Sequence, residues 1–210
     1  MTQPRRVVFW RHGRTDWNAS GRFQGQANSD LDNVGIAQAQ AAASELAKLK
    51  PAIVMSSDLK RAHDTALHLS NSLDLEVVLD KGLRETHVGV WEGMFRAEIE
   101  REHTEDLAQW IAGTNIRPGL HGETRTEVAA RVRAAVDRGL ANLDPGQTMV
   151  CVTHGASAMS GVASLLELPL EMWPVFWVMP NCSWSTVIEV RTPTGGNWRL
   201  LEYANKVASS

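Results

Sequence analysis

Apolar and polar positions divide this chain into two alternating kinds of segment. Short, mostly apolar runs at 6–10, 53–55, 75–79 and 148–153 have the length and composition of buried strands. Longer stretches with apolar residues at helical spacing lie between them. These are an alanine-rich stretch at 34–49 that stops before Pro51, and one at 59–73 with Asp58 as candidate cap. Helical pattern then dominates from about 95 to 112, at 123–143, where Gly139 is the one interruption, and at 156–167. Two further strands, 183–190 and 198–203, flank a turn at Pro193-Thr194-Gly195-Gly196. This order predicts an α/β fold: a three-layer α/β/α sandwich with a mostly parallel central sheet and a helical insert at about 95–122. No repeat or linker interrupts it, so residues 1–210 read as a single domain, with Ala208-Ser209-Ser210 expected to fray.

The chemistry gathers where two of these strands end. Val7-Val8-Phe9-Trp10 stops abruptly in Arg11-His12-Gly13, followed by Thr15 and Asp16, both residue types that cap helices. Met149 to Val152 stops in Thr153-His154-Gly155. Ligands of open α/β sheets collect beyond the carboxyl ends of the strands, so if these two strands are neighbours, His12 and His154 face one pocket. Arginine suits phosphate because its fork donates two parallel charge-assisted bonds. Nearby guanidinium charge favours neutral imidazole, which is the nucleophilic form. A His-Gly at one strand end is by itself an ordinary turn. With Arg11, Arg14 and Asn18 beside the first copy, the pattern points instead to phosphoryl transfer through a phosphohistidine.

The segment Arg11-His12-Gly13-Arg14-Thr15-Asp16-Trp17-Asn18 resembles the signature of the histidine phosphatase superfamily, which includes cofactor-dependent phosphoglycerate mutases. The resemblance continues in order through Gln24-Gly25, Gly35 with Gln38-Ala39, and Ser56 to Ala66 around Arg61. It goes on through Leu83-Arg84-Glu85 with Gly89 to Gly93, Gly122-Glu123-Thr124, and Val152 to Gly155. It implies a phosphatase that hydrolyses monoesters of small metabolites. The expected catalytic set is His12, Glu85, Arg11, Arg61 and His154; the expected substrate contacts are Asn18, Gln24, Arg84 and Gly155.

Each residue also has a plainer reading. Arg61 lies in a first helical turn, where anions are favoured, but it could pair with Asp64 on the surface; Lys60 should point elsewhere. Glu85 would protonate the departing alkoxide and then activate water. It could otherwise pair with Arg84, and Glu92 and Glu123 are alternative acids. Asn18 could donate its amide to phosphate. Gln24 could touch phosphate or substrate, or could cap local backbone.

Composition narrows the partners. A formal net charge of -3 carries no nucleic-acid signature. No apolar stretch reaches the roughly 20 residues needed to span a bilayer. The apolar run after Arg5 and Arg6 is too short for a signal peptide, so a cytoplasmic location is expected. Cys151 and Cys182 read as reduced core thiols. His63, His68, His87, His103 and His121 lack ligand spacing, and no nucleotide-binding glycine loop is present, so neither metal nor cofactor is expected. The segment from Trp173 to Pro180 fits core or a homodimer seam, and Trp91 or Trp184 could approach the substrate.

After Glu85 the chain reads Thr-His-Val-Gly-Val-Trp-Glu-Gly, resembling the phosphatase branch. The mutases carry a longer insertion there, so hydrolysis is preferred over mutase activity or an inactive phospho-ligand module. A narrower resemblance, through Gly25-Gln26, Arg84 to His87 and Asn181-x-Ser183-Trp184, is to the glucosyl-3-phosphoglycerate phosphatases. Broad-specificity sugar phosphatases and α-ribazole phosphatases share most of the same motifs.

Overall fold

A computed structural model describes residues 3–192 and 195–207. Six strands form one sheet in the order β3-β2-β4-β1-β5-β6: β1 (Arg6–Arg11), β2 (Ile53–Ser56), β3 (Val77–Leu79), β4 (Thr148–Thr153), β5 (Trp184–Thr192) and β6 (Gly195–Asn205). The pairs β1–β4, β4–β2 and β2–β3 are parallel, while β5 runs antiparallel to both β1 and β6. The expected mostly parallel sheet is therefore present, with β5 as its reversed strand. Pro193-Thr194, the start of the expected turn, and the Ala208-Ser209-Ser210 end lie outside the described residues.

Side-chain alternation sends each strand's residues to two separate cores. Val7, Phe9, Met55, Met149 and Cys151 pack against α6 (Arg125–Leu140) and α7 (Gly155–Leu165). Val8, Trp10, Val54, Val150 and Val152 pack against α2 (Asn33–Ala47) and α3 (Lys60–Leu73). Helices thus cover both faces, which is why β4 is buried along its whole length and reads as unbroken apolar sequence.

Several boundaries differ from the sequence reading for local reasons. Thr15 and Asn18 form a capping box that starts a short helix, α1 (Asp16–Ala19). Asp74 takes a left-handed conformation (φ 54°) at the end of α3, so the chain re-enters the sheet only at Val77. Asp58 does not cap α3. Ser57 Oγ accepts the Leu59 N–H at 3.2 Å, and Asp58 turns to Arg84. The stretch expected to be helical from 95 to 112 is two helices, α4 (Arg96–Glu102) and α5 (Thr104–Ile111), broken where His103 leaves the helical region (φ −134°, ψ 39°). Together with the preceding turn these helices build a small core of their own, in which Trp91, Ile99 and Leu107 pack with Phe23 and Trp110.

The loop after β1 crosses the start of α2 at a distance that only glycine permits. A Cβ on Gly13 would lie 2.4 Å from Gly35 O, and one on Gly35 would lie 2.0 Å from Arg14 O. Gly35→Ala must therefore push apart the backbone that carries His12. Overpacking of this kind costs about 1–3 kcal/mol. A urea midpoint that falls with unchanged slope is the expected result; an unchanged midpoint would show that the contact relaxes freely.

Candidate active site

Register explains how two histidines 142 positions apart in sequence come together. Arg11 lies opposite Thr153 in the parallel β1–β4 pair, so His12 and His154 leave the sheet side by side. Their ring centroids are 5.1 Å apart at 61°, and both side chains are buried. The His12 backbone is fixed on two sides: its N–H donates to Thr153 O, and its carbonyl accepts from Cys182 N–H and from Asn181 Nδ2 at 3.1 Å.

Hydrogen bonding sets the His12 tautomer. Nδ1 lies 2.7 Å from Gly13 O, which can only accept, so Nδ1 carries the proton. Nε2 keeps its lone pair and accepts from Arg61 Nε–H at 3.2 Å. Burial, then the charges of Arg61 and Arg11, hold the His12 imidazole well below its usual range. His154 is pushed down in the same way, by burial first and then Arg61.

These shifts have a consequence for stability. Both rings stay neutral in the fold but take up protons when unfolded, where the value is near 6.5. Unfolding therefore binds protons, and stability falls as pH drops below about 6.5. The loss reaches up to about 1.4 kcal/mol per pH unit for each histidine until its folded value is reached. Denaturation midpoints of the wild type and of His154→Phe between pH 7 and 5 should diverge, with the wild type falling more steeply. Parallel curves would contradict the assignment.

Arg61 turns inward from the first turn of α3 and does not pair with Asp64. Lys60 takes Asp64 instead, at 2.6 Å, and also reaches Asp30. The Arg61 fork donates to Gly25 O at 2.9 Å and Ala27 O at 2.7 Å, tying the loop after α1 to the histidines. Burial pulls its pKa down to about 10, opposed by Glu85, so it remains cationic at neutral pH. The Arg11 guanidinium donates to Met179 O and passes over Gly155, where a Cβ would come within 3.3 Å of it. Gly155 thus makes room for Arg11. Arg11 Nε and His154 Nδ1 are buried without a hydrogen-bond partner among the described residues, which leaves guanidinium and imidazole polar capacity inside the cluster.

Glu85 does not pair with Arg84. Its carboxylate sits on the N-terminus of α7: Oε1 accepts from Thr86 N (2.8 Å), Ser157 N (3.3 Å) and Ser157 Oγ (3.2 Å), and Oε2 accepts from Ala156 N (3.3 Å). Arg84 makes a two-pronged ion pair with Asp58, both contacts at 2.6 Å, and reaches Gln26. It therefore stands beside the cluster, held by protein groups. Glu92 accepts Gln26 N–H, and Glu123 is bound by Arg131; burial is the largest single influence and pushes the Glu123 carboxyl up, but the Arg131 bond, the His87 N–H and the charge of Arg131 together bring it below its usual value.

Asn18 uses its carbonyl for Thr15 and Asn181, and none of these bonds uses its amide N–H groups. Gln24 is buried and accepts from Ser29 Oγ at 2.5 Å. Trp91 and Trp184, the candidates for approaching the substrate, are buried in cores, the Trp91 ring lying 6.0 Å from that of His103. The apolar segment splits: Trp173 and Met179 are core, while Met172, Val175, Val178 and Trp177 (82% exposed) face outward. Sequence reasoning missed Ser57, whose Oγ lies 2.9 Å from His154 Nε2, and Asn181, which ties Asn18 to the His12 backbone. Cys151 and Cys182 are free buried thiols, each pushed up to about 12 chiefly by burial.

A groove of about 460 Å³ lined by Asp30, Ile36, Lys60, Asp64 and His68 contains neither catalytic-candidate histidine. No group of three or more His, Cys, Asp or Glu side chains among the described residues is arranged to hold a metal ion. None of the helices so described is long and apolar enough to cross a membrane.

Known proteins match this arrangement over most of its length. Glucosyl-3-phosphoglycerate phosphatase of Mycobacterium tuberculosis is 38% identical over 201 residues, covering 92% of this chain and 86% of the relative. A metal-independent phosphoserine phosphatase of Arabidopsis thaliana is 40% identical over 153 residues, covering 71% of this chain and 63% of the relative. Among solved structures, a mycobacterial glucosyl-3-phosphoglycerate phosphatase complexed with VO3 superposes with a TM-score of 0.89 at 38% identity, covering 95% of this chain and 98% of that one. Residues 7–206 match the family model of the histidine phosphatase superfamily (branch 1), and the chain belongs to that family.

Proposed function

We propose that this protein hydrolyses phosphate monoesters of small metabolites, of the sugar-phosphate or phosphoglycerate type, through a phosphohistidine at His12. The observation that carries this reading is the His12 ring itself. Its proton is held on Nδ1 by Gly13 O, and its Nε2 lone pair lies within a cluster of Arg11, Arg61 and His154.

In the first half-reaction Nε2 attacks phosphorus. The N–P bond forms as the P–O ester bond breaks, and Glu85 delivers a proton to the departing oxygen, which leaves as an alcohol. In the second, the Glu85 carboxylate takes a proton from water and the resulting oxygen attacks phosphorus. The N–P bond breaks, inorganic phosphate departs, and the Nε2 lone pair is restored. Among the described residues Oε2 of Glu85 accepts from Ala156 N alone, which leaves a lone pair to carry that proton. Arg11, Arg61 and His154 surround the transferring oxygens and act most where charge spreads over the loosely bonded phosphoryl group. The Asn18 amide assists.

Similarity to phosphatases named for glucosyl-3-phosphoglycerate and phosphoserine favours a phosphorylated hydroxy-acid or sugar-acid ester. The same reading puts the enzyme in the cytoplasm, where Cys151 and Cys182 stay thiols. It makes the outward Met172-Val175-Trp177-Val178 surface a seam between two copies. Phosphate release from a panel of phosphometabolites, with and without a chelator, tests the proposal. Release from at least one such ester, undiminished by chelation, is expected. Transfer to a second phosphoglycerate in preference to water would make the protein a mutase, and absence of turnover on every ester would make it a binding module.

A further inference from the structure

A half-buried arginine far along the chain holds the segment that carries Glu85. Arg131 sits on α6, and its guanidinium has five N–H donors in a fixed fork. All five have acceptors. Nε donates to Glu123 Oε1 at 2.8 Å; Nη1 donates to Gly82 O at 2.9 Å and Arg84 O at 2.6 Å; Nη2 donates to Glu85 O at 2.9 Å and Glu123 Oε2 at 2.8 Å. Three of these acceptors are backbone carbonyls of the short stretch that presents the Glu85 side chain.

The surrounding bonds complete the hold. Leu83 O accepts from Thr153 Oγ1 at 2.7 Å, so each carbonyl from 82 to 85 is fixed by a side chain from α6 or β4. Ser157 Oγ donates to Arg84 O as well as to the Glu85 carboxylate. Glu123 passes the constraint onward: its Oε2 accepts from His87 N at 2.9 Å and from Gln26 Nε2, which also donates to Glu85 O at 3.1 Å. Gly82 lets the stretch lie directly on α6, because a Cβ there would meet Arg131 O at 2.7 Å. The backbone on both sides of Glu85 is thereby tied to one guanidinium and its carboxylate partner.

We propose that Arg131 is the positioning residue of the leaving-group acid: its five-donor fork fixes residues 82–85 so that the Glu85 carboxylate stays on the N-terminus of α7. The inference rests on the reading of Glu85 as that acid. All five Arg131 bonds go to Glu123 and to the backbone that presents Glu85; its charge also contributes to holding His154 neutral, so the difference between alkyl and aryl losses, rather than any loss common to both, reads its action through Glu85. A small displacement of a general acid is enough to lower its rate contribution many-fold. Lysine has three donors around one point charge and cannot reproduce the fork.

The test is single-turnover phosphorylation of wild type, Glu85→Gln, Arg131→Met, Arg131→Lys and the Glu85→Gln/Arg131→Met double variant, on an alkyl and an aryl phosphate. Arg131→Met should slow the alkyl ester at least about tenfold more than the aryl ester, reproducing the bias of Glu85→Gln. Arg131→Lys should recover only part of the alkyl rate. The double variant should show no larger alkyl bias than Glu85→Gln alone, because the two residues act as one unit. Where circular dichroism shows that Arg131→Met does not fold, Glu123→Gln replaces it and should show the same alkyl bias at smaller amplitude. Equal slowing of both esters, or additive biases in the double variant, while Glu85→Gln keeps its bias, overturns the positioning role and leaves the acid in place. Loss of the bias in Glu85→Gln itself overturns the acid assignment and this inference with it.

Discussion

His12→Ala is expected to lower turnover at least ~1,000-fold, a rise of about 4 kcal/mol in the barrier. The effect follows from geometry that no neighbour can replace. His12 is the ring whose protonated nitrogen is fixed by a backbone carbonyl, leaving Nε2 as a lone pair facing Arg61. His154 lies beside it with Nε2 2.9 Å from Ser57 Oγ, but its Nδ1 has no partner among the described residues, so no backbone carbonyl fixes its tautomer as Gly13 O fixes that of His12. Removing His12 should leave the fold and phosphate affinity largely intact, because the charged clamp of Arg11 and Arg61 remains. Steady-state kinetics with thermal melting as a control check this. A variant that folds normally and turns over within tenfold of wild type would remove the nucleophile from this account.

Glu85→Gln should have the second-largest effect, a ~100- to 10,000-fold loss in the range general acids contribute. Glutamine keeps the size and can still accept from the α7 N-terminus through its carbonyl oxygen, so the site should stay assembled. What disappears is the proton. An alkyl ester, whose alkoxide leaves poorly, should lose most in the phosphorylation step. An aryl ester, whose leaving group needs little help, should lose less there, while its dephosphorylation should slow because water is no longer activated. Burst kinetics on an aryl phosphate separate the two steps: the variant should show a phosphoenzyme burst followed by slow turnover. A variant that slows both esters equally and shows no burst would shift attention to Glu92, since Glu123 is already bound to Arg131.

The layers of the fold were legible because buried parallel strands leave unbroken apolar runs and their covering helices leave periodic ones. The pairing of His12 with His154 was legible only conditionally. Two strands ending in His-Gly predict one pocket if they are neighbours, and the β1–β4 register supplies that condition. Sheet order puts β1 between β4 and β5, both more than a hundred residues away in sequence, which no local pattern records. Sequence neighbours offered plainer alternatives that geometry rejects. Arg84 with Glu85 and Arg61 with Asp64 were the competing ion pairs, but Arg84 reaches Asp58, 26 residues away, and Arg61 turns into the core.

The roles of Arg131, Ser57 and Asn181 were illegible for a related reason. The bonds that give them those roles, to Glu85 O, His154 Nε2 and His12 O, span 46 to 169 residues. Such bonds impose no spacing on the sequence. Trp91 and Trp184 show the converse: aromatic residues near a motif suggested substrate contact, and the space they fill is core.

The central claim is a covalent phosphoryl group on one nitrogen, and rapid-quench trapping addresses it most directly. Enzyme mixed with a ³²P-labelled monoester and quenched in alkali within the first turnover should carry label that survives alkali, is lost in acid, and maps to His12. Its formation should be as fast as the first release of alcohol, and His12→Ala should carry none. Turnover that proceeds with no label on the protein at any time, or label that persists in His12→Ala, would contradict the account.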